Sequence, residues 1–164
     1  MSKTIDNLWT AFAGESQANR KYLAFAAQAD KEGHPQAAKL FRAAAAAETI
    51  HAHSHLKALG VVGTTLDNLK AAAAGETEEF EDMYPAMIVT AEEEGNKAAR
   101  QSFTFANEVE KTHAALYQKA IDGIDSMTEC DYYICKVCGH THEHNAPEKC
   151  PVCGANARAF FKAE

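Results

Sequence analysis

The sequence predicts an all-α four-helix bundle followed by a small C-terminal domain built on metal-binding cysteine knuckles. Three observations predict it. Apolar residues recur at helical spacing over most of the first 125 residues. A lone Glu, a turn and then Glu-x-x-His occur in that order twice. Four of the five cysteines form two tight pairs near the C-terminus. The predicted organisation is a bundle over 1–125, a linker over 126–131 and a cysteine domain over 132–164.

Composition narrows the function classes. The chain has 164 residues, 46% apolar and 24% charged, as in a soluble globular protein, and its formal charge of −7 argues against nucleic-acid binding. No apolar run approaches the roughly 20 residues of a membrane span, and the N-terminal Met1-Ser2-Lys3-Thr4-Ile5-Asp6 has no signal-peptide core. A cytoplasmic protein is expected. Cysteines confined to the last 35 positions of such a chain read as metal ligands rather than disulfides.

The first helix is expected from about Thr4 to Lys31, where Ile5, Leu8, Trp9, Phe12, Tyr22, Leu23 and Phe25 keep helical spacing and Gly33-His34-Pro35 stops the run. Pro35 then suits a first helical turn. The alanine-rich run to Leu59, closed by Gly60, predicts a second helix antiparallel to the first. A crossover follows, irregular over 61–65 with a short helical turn from Leu66 to Ala74. A third helix is expected from near Gly75 to Gly95, kinked or broken at Pro85, and a fourth from about Asn96 to Ile121, closed by Gly123. Glu92-Glu93-Glu94 at the end of the third helix reads as a solvated face.

Counting from the turns aligns the acidic residues. Glu15 lies 18 residues before Gly33 and Glu48 lies 15 after it; Glu79 lies 16 before Gly95 and Glu110 lies 15 after it. His51 and His113 follow Glu48 and Glu110 by three, one helical turn on. Two helices that each supply a Glu and two that each supply Glu-x-x-His form the ligand set of di-iron and di-manganese carboxylate bundles. Four carboxylates balance two divalent ions, whereas four ionised carboxylates without metal would be severely destabilising in a core. Asp82, three after Glu79, is a further candidate ligand, and Tyr22, two turns beyond Glu15, is a candidate hydrogen-bonding neighbour of the metals. His53 and His55 read as surface or hydrogen-bonded residues.

Cys135-x-x-Cys138-Gly and Cys150-x-x-Cys153-Gly are two knuckles able to hold one tetrahedral ion, which sulfur ligation alone leaves as iron or zinc. A segment of about 33 residues could scarcely fold without that ion. His140, His142 and His144 are expected to be exposed in the loop between the knuckles, and Cys130 is a spare thiol.

With both sites in view the chain resembles the rubrerythrins over essentially its full length. The resemblance is carried by Gly14-Glu15-Ser16-Gln17-Ala18-Asn19-Arg20-Lys21-Tyr22, Glu48-x-x-His51, Met83-Tyr84-Pro85 after Glu79, Glu92-Glu93-Glu94-Gly95, Glu110-x-x-His113 and the two knuckles. It implies a ferritin-like bundle with two irons and a rubredoxin-like domain with one iron on four cysteines, where zinc would signal misloading. It implies reduction of hydrogen peroxide to water, with electrons relayed through the four-cysteine iron. The implied assembly is a homodimer in which that iron lies near the partner's di-iron site.

On this resemblance Glu15, Glu48, Glu79, Glu110 and His113 are core ligands and His51 a redox-dependent one. Asp82 stands where the family commonly has Glu, and this puts ligand exchange there in doubt. The chain has no nucleotide-binding glycine motif, so a rubredoxin or NAD(P)H reductase is expected as electron donor. The competing expectations are a ferroxidase or oxygen reductase, and a metal-storage or sensing protein whose cysteine domain is a structural zinc ribbon.

Overall fold

In the computed structural model residues 2–164 are described. The chain forms two compact units, the first ending at Gly63 and the second running from Thr64 to Glu164.

The first unit is a helical hairpin of α1 (Lys3–Lys31) and α2 (Pro35–Leu59). Ser2 caps α1 by accepting from the Ile5 N–H, and Pro35 occupies the first turn of α2, where its missing N–H removes nothing. Gly33 and Gly60 close the two helices in left-handed conformation, at φ +78° and +67°. The seam is lined by alanine. Ala26, Ala29 and Ala38 are buried with Phe41 against them, and Ala45 and Ala52 continue the contact, since small side chains let the helices approach closely. Asn19 ties the helices across the seam by donating to the Ala45 carbonyl at 2.7 Å and to Thr49 Oγ1 at 2.9 Å.

The second unit begins with α3 (Thr65–Glu78), whose entry is a capping box between Thr64 and Asp67. A single π turn (Glu79–Met83) joins it to α4 (Tyr84–Glu93), and α5 (Lys97–Asp122) returns antiparallel after Gly95. This corrects the expected crossover. Residues 61–64 are irregular as expected, but the short helical turn is the opening of a longer helix that passes without a stop through Gly75, because a lone glycine costs only about 1 kcal/mol of propensity. The irregularity expected at Pro85 falls just before it. The Tyr84 N–H reaches back five residues to the Glu79 carbonyl, and Pro85 then starts α4 as a first-turn proline.

The cysteine module belongs to the same unit. Its sheet has order β2-β1-β3, with β1 (Tyr132–Cys135) central between antiparallel β2 (Thr141–Glu143) and β3 (Phe160–Lys162). Cys135, Cys150 and Phe160 form its core. No helix is long and apolar enough to cross a membrane among the described residues.

Candidate metal centres

Three groups of side chains are arranged to hold metal ions among the described residues, and in each the donor atoms lie within 4.8 Å of one another. The hairpin of α1 and α2 brings Glu15, Glu48 and His51 together. His51 Nδ1 is 2.9 Å from Glu48 Oε2 and 3.8 Å from Glu15 Oε1.

In the second unit α3 and α5 bring together Glu76, Glu110 and His113. His113 Nδ1 is 2.7 Å from Glu110 Oε2 and 3.7 Å from Glu76 Oε1. The two half-sites thus repeat the same geometry to about 0.2 Å. They differ in cover, His51 having 55% of its side-chain surface exposed and His113 27%.

Glu76 is the candidate ligand that sequence counting missed. It stands 19 residues before Gly95, one more than the 18 from Glu15 to Gly33, and the π turn between Glu76 and Gly95 contains that extra residue. A π turn inserts one residue into the helical register, so Glu76 reaches the height that Glu15 has in the other hairpin. The Gly-Glu dipeptide of both halves, Gly14-Glu15 and Gly75-Glu76, was the available signal. Glu79, one turn further on, lines the same shallow cavity as Ala72, Gly75, Glu76, Glu110 and His113. Asp82 does not join them. Its place within the π turn rotates it off the face Glu79 occupies, and it lines a separate cavity with Lys70, Thr77, Glu81 and Gln118.

Electrostatics mark the second half-site as a place for positive charge. Burial, then Glu110, pushes the Glu76 carboxyl above the ordinary range, with His113 opposing. Burial and the neighbouring Glu76 and Glu78 raise Glu79 as well. The Tyr84 phenol is raised by burial and then by Glu79, Glu110 and Glu76, which keeps its proton on. Tyr84 is thus the tyrosine that the half-site carboxylates govern, whereas Tyr22 packs its ring against Phe25 and Phe41. A divalent ion fits both groups of carboxylate and imidazole donors, and it would relieve the repulsion that raises Glu76.

The third group is Cys135, Cys138, Cys150 and Cys153. Cross-knuckle Sγ separations of 3.7 Å (Cys135 to Cys153) and 3.5 Å (Cys138 to Cys150) place four sulfurs around one point, as tetrahedral thiolate ligation requires. Gly139 and Gly154 make the tight turns possible at φ +85° and +74°, each N–H returning to the carbonyl of the first cysteine of its knuckle. Burial raises the Cys138 and Cys153 thiols. At Cys135 burial is outweighed by the Val137 and Cys138 N–H groups, and the thiol is lowered. Cys130 stays outside the group, 3.8 Å from Glu143.

The module packs on α5. A Cβ at Gly139 would lie 4.0 Å from Val109 Cγ1, Lys119 Nζ pairs with Glu143 at 2.7 Å, and Thr141 Oγ1 is 3.0 Å from His113 Nε2. His140 was expected in solvent and is instead 6% exposed, with neither ring nitrogen hydrogen-bonded. Burial, then His142 and His113, lowers its pKa and keeps it neutral. The loop between the knuckles folds back against α5, which loop composition alone does not reveal.

Comparison with known proteins gives the same assignment. The rubrerythrin family profile matches residues 6–121, and the profile of the rubredoxin-like domain of rubrerythrin matches 133–161. Nigerythrin of Nitratidesulfovibrio vulgaris is 38% identical, with 93% of this chain and 83% of that protein covered. Rubrerythrin of Porphyromonas gingivalis is 38% identical, with 98% and 90% covered. A solved structure of nigerythrin in a partially reduced state superposes with a TM-score of 0.61 at 36% identity, covering 99% of this chain and 88% of that one. The fold class is therefore the ferritin-like four-helix bundle with a C-terminal rubredoxin-like four-cysteine domain, and the chain belongs to the rubrerythrin family.

Proposed function

We propose that this protein is a non-haem di-iron peroxidase that reduces hydrogen peroxide to water, fed with electrons through its four-cysteine iron. The observation that carries this reading is the seating of the cysteine module on α5, with Thr141 of β2 hydrogen-bonded to the half-site histidine His113. A relay site beside a carboxylate half-site suits an enzyme that must be re-reduced. Storage needs no such neighbour.

Glu15, Glu48 and His51 in one unit would supply ligands for iron, and Glu76, Glu110 and His113 in the other would do the same. Glu79 lines the same cavity and supplies a further carboxylate to it. The irons, when bound, supply Lewis acidity and the two electrons the O–O bond must accept. The chain's own part is to hold and protonate. Ionised carboxylates would neutralise the ions, and one imidazole would complete each donor set. Tyr84 keeps its phenolic proton beside Glu79 and Glu110, where it can be donated to a departing oxygen. Tyr22 serves as aromatic packing against Phe25 and Phe41.

Electrons come from a rubredoxin or an NAD(P)H reductase, since no nucleotide-binding motif is present in the sequence. Leu40, Ile50 and Val62 are each about two-thirds exposed, and covering them is the reason to read the working form as a homodimer. The absence of a membrane-spanning helix among the described residues and the reduced thiol chemistry suit a cytoplasmic enzyme.

The test is Cys138→Ser. Donor-coupled peroxide turnover should vanish, while the chemically reduced variant should still consume peroxide once. Full coupled turnover in that variant would overturn the electron path. Faster oxidation of the reduced wild-type protein by oxygen than by peroxide would favour an oxygen reductase instead.

A further inference from the structure

We propose that Thr141, a residue of the cysteine module, is a positioning residue for the metal ligand His113 through its side-chain hydroxyl. The proposal rests on the metal reading above and deepens it. His113 turns Nδ1 toward Glu110 and Glu76, so its ring orientation depends on what holds the far nitrogen. That nitrogen, Nε2, lies 3.0 Å from Thr141 Oγ1. Outer partners of this kind fix the ring of a metal-bound histidine and are worth about 10–100-fold in metal affinity.

The hydroxyl is held on a rigid support. Thr141 opens β2 and pairs with Ile134 of β1, the residue before Cys135, so the sheet and the knuckles fix its place. Its hydroxyl also lies 3.5 Å from the Gly139 carbonyl. The junction is partly enclosed. Val109 is 3% exposed beneath Gly139, and both His140 ring nitrogens are enclosed without partners. A hydrogen bond in such surroundings is stronger than one in water.

A hydroxyl suits both states of the site because it donates as well as accepts. With no ion, Nδ1–H points at Glu110 and Nε2 accepts from Thr141. With an ion on Nδ1, the proton sits on Nε2 and Thr141 accepts it. Among the described residues His51 has no such support, its partners being Glu48 and Glu15 on its own hairpin.

The experiment uses the full chain with iron in the four-cysteine site and the carboxylate site emptied by chelation. Manganese(II), which prefers oxygen and nitrogen donors, is titrated in and the free ion followed by electron paramagnetic resonance. Thr141→Val should weaken manganese binding about 10-fold or more, and Thr141→Ser, which keeps the hydroxyl and loses the methyl, should bind as wild type does. The visible spectrum of the cysteine-bound iron checks that the module is intact. Equal affinity in Thr141→Val and wild type would overturn the proposal, as would an equal loss in both variants, which would assign the contact to packing. Because peroxide is absent from this measurement, a protein that passes it yet fails to reduce peroxide would overturn the peroxidase reading alone. Wild-type protein that binds no manganese would overturn the positioning role with the metal reading beneath it.

Discussion

The two helical hairpins carry the same three donors in the same arrangement, yet the structure supports them differently. In the α1–α2 hairpin the register is a plain α-helical count, and His51 is half exposed and pairs with Glu15 and Glu48 of its own hairpin. In the second unit a π turn resets the register, Glu79 and Tyr84 add to the lining, and the cysteine module braces His113. Ligand identity is thus a property of local sequence, while ligand rigidity is a property of what packs behind it. A rigid ligand and a loosely held one have different uses at a redox site, where one can stay bound while the other adjusts.

The comparison breaks most completely if the extra residue is removed. Deleting Glu81 should convert the π turn to α-helix and rotate Glu76 by about 100° relative to α4, since one residue is 1/3.6 of a turn. Iron retained by the carboxylate site should fall to near background while the cysteine-bound iron stays, as iron per chain would reveal. Normal loading of the deletion variant would mean that the π turn does not set the register.

A second test compares the histidines. His113→Gln should reduce peroxide turnover by on the order of 100-fold or more, and His51→Gln by about 10-fold, scaled from the effects of outer-shell ligand partners. Equal losses would show that the bracing of His113 has no kinetic consequence.

The smallest effect is one of stability. Glu76 is raised by burial and Glu110, so in metal-free protein the folded state holds its proton longer than the unfolded chain does. Stability from this group is lost as pH rises from the ordinary carboxylate value of about 4.3 through the raised one. Metal-free Glu76→Gln should therefore melt higher than wild type at neutral pH and equally with it in acid below that window, while losing metal affinity. A lower melting temperature for metal-free Glu76→Gln at neutral pH would contradict the assigned repulsion.

Much of this was legible in the sequence because the signals are local. Helix ends follow Gly33, Pro35, Gly60 and Gly95; Glu-x-x-His needs only one helical turn to bring its two donors together; and Cys-x-x-Cys-Gly closes on itself. What escaped depended on a register carried over distance. Counting back from Gly95 selected Glu79 and passed over Glu76 because nothing in the sequence announces the extra residue of the π turn, and the three-residue spacing from Glu79 to Asp82 reads as α-helical although both lie in that turn. Tyr84 lay inside a motif already noticed, but its link to the carboxylates follows from the π turn. His140 looked like a loop residue because nothing in its neighbours' composition says that the loop folds onto Val109.

The sequence by itself determined the donor chemistry: two carboxylate–imidazole sets, one four-sulfur set, and the helices and knuckles that present them. Spacing over a few residues is enough for that, since backbone geometry repeats. Only the tertiary structure decided that Glu76 stands beside Glu79 in the cavity with Glu110 and His113, that His140 is buried, and that Thr141 meets His113. Each of those depends on one element packing against another, where a single inserted residue or a folded-back loop changes which side chains meet.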